Sequence, residues 1–501
     1  MEKKVIMRNI ACSLLLQIVT TISGLIVPKI ILSEFGSNTN GLINSVTQFL
    51  NYIELLEGGL SSVIMASLYK PLHENNALQI SSTIRTASNF FRRIGLIFIV
   101  YMLGVAIVYP LVIDTGFSYG YSFALVIVLG MHLVVQYFFA ITYKLLLKAD
   151  RKLFYVSITQ IVILVVNIGM VYIGARYFHD ILALKVLSAT VFFIQPILYN
   201  SYVKKHYAID KNAPENPETL KNRWDGFGIN LAYFIHTNTD VVVLTTIASL
   251  KQVSVYSVYA MVIFALKRLV LSISSSIEPS FGKVLVSGDH KRINQAFDDM
   301  ELGIDLVTSV FFICGLLLVT PFVSVYTKNI TDVDYYQPTF GVVLTIAEML
   351  YCFRMPFTNA TYAAGRFKET AIYAYIEAIL NIVISIILVF RWGIIGVAIG
   401  TLVSIGFRLF AHAIDLRKAI LYRPLRRTLK AIGVFGVSTL FISLISISLF
   451  NFECATWMQW VVLGIKVFSV TIVILLIATL VFYREEIQRL LIKRIVKGKA
   501  N

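Results

Sequence analysis

Long apolar runs in this 501-residue chain carry charged side chains, and those are the residues that could do chemistry. Glu54 and Glu57 lie three residues apart in one run, and Asp240 precedes Val241-Val242-Val243-Leu244 in another. Lys267 and Arg268 are adjacent near the middle of a third, while Arg354 and Arg408 lie deep in two more. A carboxylate held in an apolar run can take up a proton or a cation, and two on adjacent turns repel each other when both ionise. A guanidinium stays charged and grips a phosphate through paired hydrogen bonds. Each carboxylate could instead belong to a structural ion pair, and that alternative stands beside the functional one. At a repeat offset of about 214 residues Lys267 falls opposite Glu54, so the two could also neutralise each other across an interface.

Polar residues extend this set. Gln17, together with Ser13, Thr20, Thr21 and Gly24, recurs at three- and four-residue steps ahead of Pro28, which can hinge or bend a helix, and Lys29 follows it. Asn51 shares a stripe with Gln48 and Glu54, and Asn230, Tyr233 and Thr237 share a face with Asp240. These are candidates to line a polar path, or to pack helix against helix. His236 beside them is a packing residue or a proton relay. The four cysteines are scattered without a metal or disulfide spacing, so neither a metal nor a cofactor is expected. Phosphate-loop, HExxH and Gly-x-Ser-x-Gly sequences are absent.

The elements that must position these residues are membrane helices. Hydrophobic residues make up 57% of the chain and charged ones 14%, against about 25% charged in an ordinary soluble domain. Runs of about 20 apolar residues span a bilayer as helices, because lipid offers the backbone no hydrogen bonds. Fourteen spans are predicted, at 10–32, 41–69, 94–113, 121–144, 153–176, 181–203, 225–248, 254–280, 301–326, 336–363, 370–390, 393–414, 429–450 and 458–482. The first of them reads as a signal anchor rather than a cleaved leader.

The net charge of +16 is a topology signal. Of 44 Lys and Arg, 33 fall in one set of alternating loops and termini, 4 in the other set, and 7 within spans. The positive-inside rule then places both termini in the cytoplasm. This distribution argues against a nucleic-acid partner.

The chain also repeats. Gly59-Leu-Ser-Ser-Val-Ile before Lys70 is echoed by Ser272-Ile-Ser-Ser-Ser-Ile before Lys283, and Lys148-Ala-Asp-Arg151 by Ala363-Ala-Gly-Arg366. Six spans per copy make a parallel repeat, with a site expected between the halves. The expected organisation is an N-terminal six-helix lobe at 1–203, a cytoplasmic linker at 204–224 and a second six-helix lobe at 225–414. Residues 415–501 then hold two extra transmembrane helices and a basic cytoplasmic tail.

This pattern resembles the polysaccharide transporter branch of the MOP flippase superfamily, the Wzx-type flippases, whose fold is MATE-like and all-α. The resemblance rests on Pro28 through Gly36 to Gly41-Leu42, on Glu57-Gly58-Gly59, and on Thr239-Asp240 with Val255-Tyr256-Ser257. Gly365-Arg366, Asn381 and the run from Gly393 to Thr401 complete it. The family more often has Asp at the Glu57 position and a glycine before Tyr256.

The resemblance implies alternating-access export of an undecaprenyl-pyrophosphate-linked glycan across a bacterial plasma membrane, for capsule, O-antigen or exopolysaccharide. It further implies membrane lipid, a polysaccharide polymerase and chain-length proteins as partners. Lys267, Arg268, Arg354, Arg408 and Lys29 are the candidates to meet pyrophosphate or glycan. Glu54, Glu57 and Asp240 are the candidates for ion coupling. The competing readings are a MATE-like drug or cation antiporter, a lipid II flippase of the MurJ type, and a membrane glycan polymerase or ligase. Short outer loops argue against the enzyme.

Overall fold

The computed structural model describes residues 2–57, 59–210, 212–220 and 227–489, with backbone alone at Glu2, Lys3, Ile6, Phe367 and residues 227–233 and 235–237. Regular structure among the described residues is helical throughout. Among the described residues, twelve helical stretches are long and apolar enough to cross a bilayer by length and composition. The other two of the fourteen expected spans are accounted for by local structure. One shares the 51-residue stretch Met7–Glu57 with its neighbour. The other is the 21-residue helix Phe227–Ile247. The chain divides into two compact units, Met1–Phe234 with Ser249–Ser254, and Ile235–Ala248 with Val255–Asn501.

The first unit opens with α1 (Glu2–Asn51), whose backbone is helical through Pro28 and leaves helical geometry at Gly36, where φ is 77°. A residue with a Cβ would be strained there. It continues through α2 (Glu54–Glu57), α3 (Leu60–His73) and α4 (Ala77–Val112). Next come α5 (Tyr119–Val135), α6 (Ile141–Ala149), α7 (Leu153–Tyr177), α8 (Ile181–Val191) and α9 (Ile194–His206). Along α4 the buried Ile80, Ile84, Ala87, Phe91, Ile94 and Phe98 recur at three- and four-residue steps, so one face of the helix packs into the core. The residues between the expected spans 41–69 and 94–113 are therefore mostly helix. Asn76 starts α4 by accepting from the Gln79 amide at 3.0 Å.

The first part of the expected linker is tied down on this unit. Ser82 donates to the Pro214 carbonyl at 2.6 Å, Arg85 to the Ala213 carbonyl at 2.9 Å, and Asn89 to Glu215 at 2.7 Å. The Asn216 amide donates to Thr86 at 2.8 Å. These bonds satisfy loop backbone that has no helix to pair with.

The second unit is built on α10 (Phe227–Ile247), α11 (Leu250–Leu285), α12 (His290–Tyr326) and α13 (Pro338–Phe353), of which the first two begin in residues of the other unit. It adds α14 (Met355–Ala363), α15 (Phe367–Trp392), α16 (Ile394–Leu416), α17 (Arg426–Leu449) and α18 (Trp457–Phe482). The Gly396-xxx-Gly400 spacing does what small residues do in membrane helices, bringing α16 onto α15. A Cβ on Gly396 would stand 2.4 Å from the Leu388 carbonyl oxygen.

Candidate functional site

In the first unit the carboxylates Glu54 and Glu57 sit at a helix break. The sequence reads 41–69 as one span, but helical backbone stops at Asn51 and resumes at Leu60, with the single turn α2 between. Gly59 takes a left-handed conformation at φ 80°, which turns the chain into α3. Tight bonds cover the interruption, from the Tyr52 amide to the Phe49 carbonyl at 3.2 Å and from the Leu56 amide to the Ile53 carbonyl at 2.9 Å. Interrupted backbone at membrane depth persists only where protein or water satisfies it, and transporters place their sites at such breaks. Glu54 is exposed and Glu57 half-buried. Ser61 donates to Glu57 at 2.5 Å. Lys144 and the buried Tyr137 lie within electrostatic reach of both carboxylates. Tyr137 stands in a π-helical turn, Gln136–Ala140, a local widening that is frequent at functional sites.

In the second unit Asp240 is buried and accepts from the Tyr256 hydroxyl at 2.9 Å and from Thr401 at 2.9 Å. Asn381 donates to the same Thr401 hydroxyl at 3.0 Å. Four helices thus meet at one carboxylate: α10 carries Asp240, α11 Tyr256, α15 Asn381 and α16 Thr401.

A second buried polar group in this unit holds Arg354 and Arg408. Arg354 lies between α13 and α14, where Pro356 cannot donate a helix hydrogen bond and the helix is interrupted. Its guanidinium reaches Glu377 at 2.8 Å, and Arg408 pairs with the other oxygen of the same carboxylate. His412, one turn after Arg408, accepts from it at 3.5 Å through Nε2. Two guanidinium charges against one carboxylate leave a surplus positive charge. Lys267 forms a separate ion pair with Glu348 at 2.7 Å. Tyr351 offers its ring to both groups, 3.7 Å from the Lys267 ammonium and 4.3 Å from the Arg354 guanidinium.

The other expected site residues fall as follows. Arg268 is exposed and makes no ion pair among the described residues. Lys29, Gln17 and Asn51 are half-buried on α1. Pro28 sits in helical backbone, eight residues before the break. The side chains of Asn230, Tyr233, His236 and Thr237 lie outside the described residues. Lys267, Arg354 and Arg408, chosen to meet a phosphate, each hold a buried carboxylate of their own unit. Glu348 and Glu377 lie within apolar runs of the sequence, which marks them as deep anions without showing their partners, and nothing in the runs singles out Tyr351. The four-residue step from Arg408 to His412 is a signal for their contact. No cluster of three or more metal-ligating side chains occurs among the described residues.

The model of the family described as lipid II flippase MurJ matches residues 43–470. The chain belongs to the MurJ family. This corrects the Wzx-type reading made from the sequence: the repeat-unit branch is not the one that matches, although the MOP superfamily stands. Solved structures agree in fold. A lipid II flippase MurJ in an inward closed conformation is 17% identical, with a TM-score of 0.72, over 95% of this chain and 100% of that one. An inward-facing multidrug resistance MATE transporter of the MOP superfamily is 11% identical, with a TM-score of 0.65, over 79% and 94%. A MATE in the bent conformation is 13% identical, with a TM-score of 0.58, over 83% and 95%. Among curated proteins, none matches this chain. At these identities the structures establish the MurJ and MATE-like helical fold, and the family model separates MurJ from the other branches. MurJ flippases are transporters rather than enzymes, and this multi-pass membrane chain is one of their family.

Proposed function

We propose that this chain flips lipid II from the inner to the outer leaflet of a bacterial plasma membrane. The family match over residues 43–470 carries the reading. The geometry agrees with a transporter: helices are interrupted at Glu54–Glu57 and at Arg354, and charged groups are held at both breaks. The charge split of the loops favours cytoplasmic termini, with a division into lobes at 1–203 and 225–414 joined by 204–224. Lipid II carries a pyrophosphate, so the exposed Arg268 is the deep cation best placed to meet it, while Arg354, Arg408 and Lys267 organise the second unit. Glu54, Glu57 and Asp240 would bias the conformational equilibrium through proton or cation uptake.

Genetic complementation tests this. Cells depleted of their own lipid II flippase should grow when this chain is expressed. Failure to rescue growth, with the protein present in the membrane at normal levels, would reject the proposal.

A further inference from the structure

A cavity of about 570 Å³ opens where α12 meets the start of α17 and the end of α18. Its charges are sorted in part: Arg423 lies buried among the acids, and Glu485 and Glu486 join the more numerous cations toward solvent. Asp305, Glu301 and Tyr483 are buried, at 4%, 7% and 9% exposure, whereas Arg426, Arg427 and Lys430 are exposed at its mouth. Two of the acids are matched by arginines. Arg423 donates to Asp298 and Glu301 at 2.7 Å each, and Arg427 to the second oxygen of Asp298 at 2.7 Å. At Asp305, Oδ1 has no hydrogen-bond partner although Arg423 is within electrostatic reach, and the Tyr483 hydroxyl has none either. A buried carboxylate left in this state is costly. Site and unmet groups together call for a ligand with hydrogen-bond donors at one end and negative charge at the other.

We propose that this cavity binds the phosphoethanolamine headgroup of a membrane lipid, its ammonium on Asp305 and Tyr483 and its phosphate against Arg426 and Lys430. An ammonium has three donors for the acidic floor. A phosphate suits the basic mouth. A headgroup without an amine leaves Oδ1 of Asp305 without a donor. The source is lipid rather than a soluble metabolite because the exposed apolar residues Val481 and Phe482, at the end of a membrane helix, form part of the wall. On the orientation given by the charge split, this is the inner leaflet. The site is independent of the cargo.

Native mass spectrometry of the purified full-length protein, with phosphatidylethanolamine, phosphatidylcholine or phosphatidylglycerol added in turn, tests the assignment. Phosphatidylethanolamine should be retained about tenfold more strongly than either of the others, since one lacks N–H donors and the other lacks the amine. Asp305→Asn should abolish that preference while the melting temperature shows a folded protein. The exposed double variant Arg426→Ala/Lys430→Ala should weaken retention of phosphatidylethanolamine, and keeps the test decisive if Asp305→Asn fails to fold. Equal retention of the three lipids, or an undiminished preference in both variants, overturns the proposal. Displacement of the lipid by an equal concentration of soluble phosphoethanolamine overturns the lipid as source. Rescue of growth by the Asp305→Asn variant would leave the transport reading intact whichever way this result falls.

Discussion

Arg354 donates to Glu377 at 2.8 Å, and both side chains are almost wholly shielded from solvent. Because Arg408 uses the other carboxylate oxygen, one anion holds two cations and joins α15 and α16 to the break between α13 and α14. Removing a partner from a buried ion pair costs about 3–5 kcal/mol, because a charge is left uncompensated. Glu377→Gln should therefore lower the melting temperature of the purified protein sharply. A wild-type melt in that variant would show that the arginines find other partners.

Thr401 is the hinge of the Asp240 cluster, donating to the carboxylate and accepting from Asn381. Thr401→Val keeps the shape and deletes the hydroxyl. It should destabilise the protein by about 1–3 kcal/mol, the cost of stranding buried polar groups, and Thr401→Ser should restore most of the loss. Chemical denaturation of the two variants checks this, and equal stability of both would contradict it.

Gly396 faces the Leu388 carbonyl, where an added methyl would have 2.4 Å of room. Gly396→Ala should force α15 and α16 apart and cost about 1–3 kcal/mol, as overpacking does. An unchanged melting temperature would show that the helix pair yields freely.

Gly59 holds its left-handed conformation between the Glu54–Glu57 turn and α3. An L-residue there costs about 1–2 kcal/mol. Gly59→Ala should reduce complementation more than it reduces the amount of protein in the membrane, because it strains the break that displays the two carboxylates. A parallel loss of protein and growth would assign Gly59 to folding alone.

Hydrophobic length and loop charge make membrane helices legible in a sequence, but not all their bounds: α4 begins at Ala77 and α12 at His290, well before the apolar runs at 94–113 and 301–326. What composition does not encode is where a long helix breaks. Gly36 falls between the expected spans 10–32 and 41–69, but the turn around Glu54 interrupts a run that reads as one span, because such a break depends on backbone conformation and tertiary support. The deep charges were recognised individually. Their pairing was not: Lys267 with Glu348 and Arg354 with Glu377 join residues 81 and 23 positions apart, and helix packing alone brings them together. The family branch was misread for a related reason. The fold that carried the resemblance is common to flippases and MATE transporters alike, as the structural matches show.

The claim that this chain moves lipid II is tested most directly in vesicles. Purified protein reconstituted with lipid II should make the substrate on the inner leaflet accessible to an impermeant enzyme added outside, and the exposed-site variant Arg268→Ala should reduce that gain without lowering the melting temperature. Accessibility no greater than in protein-free vesicles, for correctly folded protein, would contradict the account.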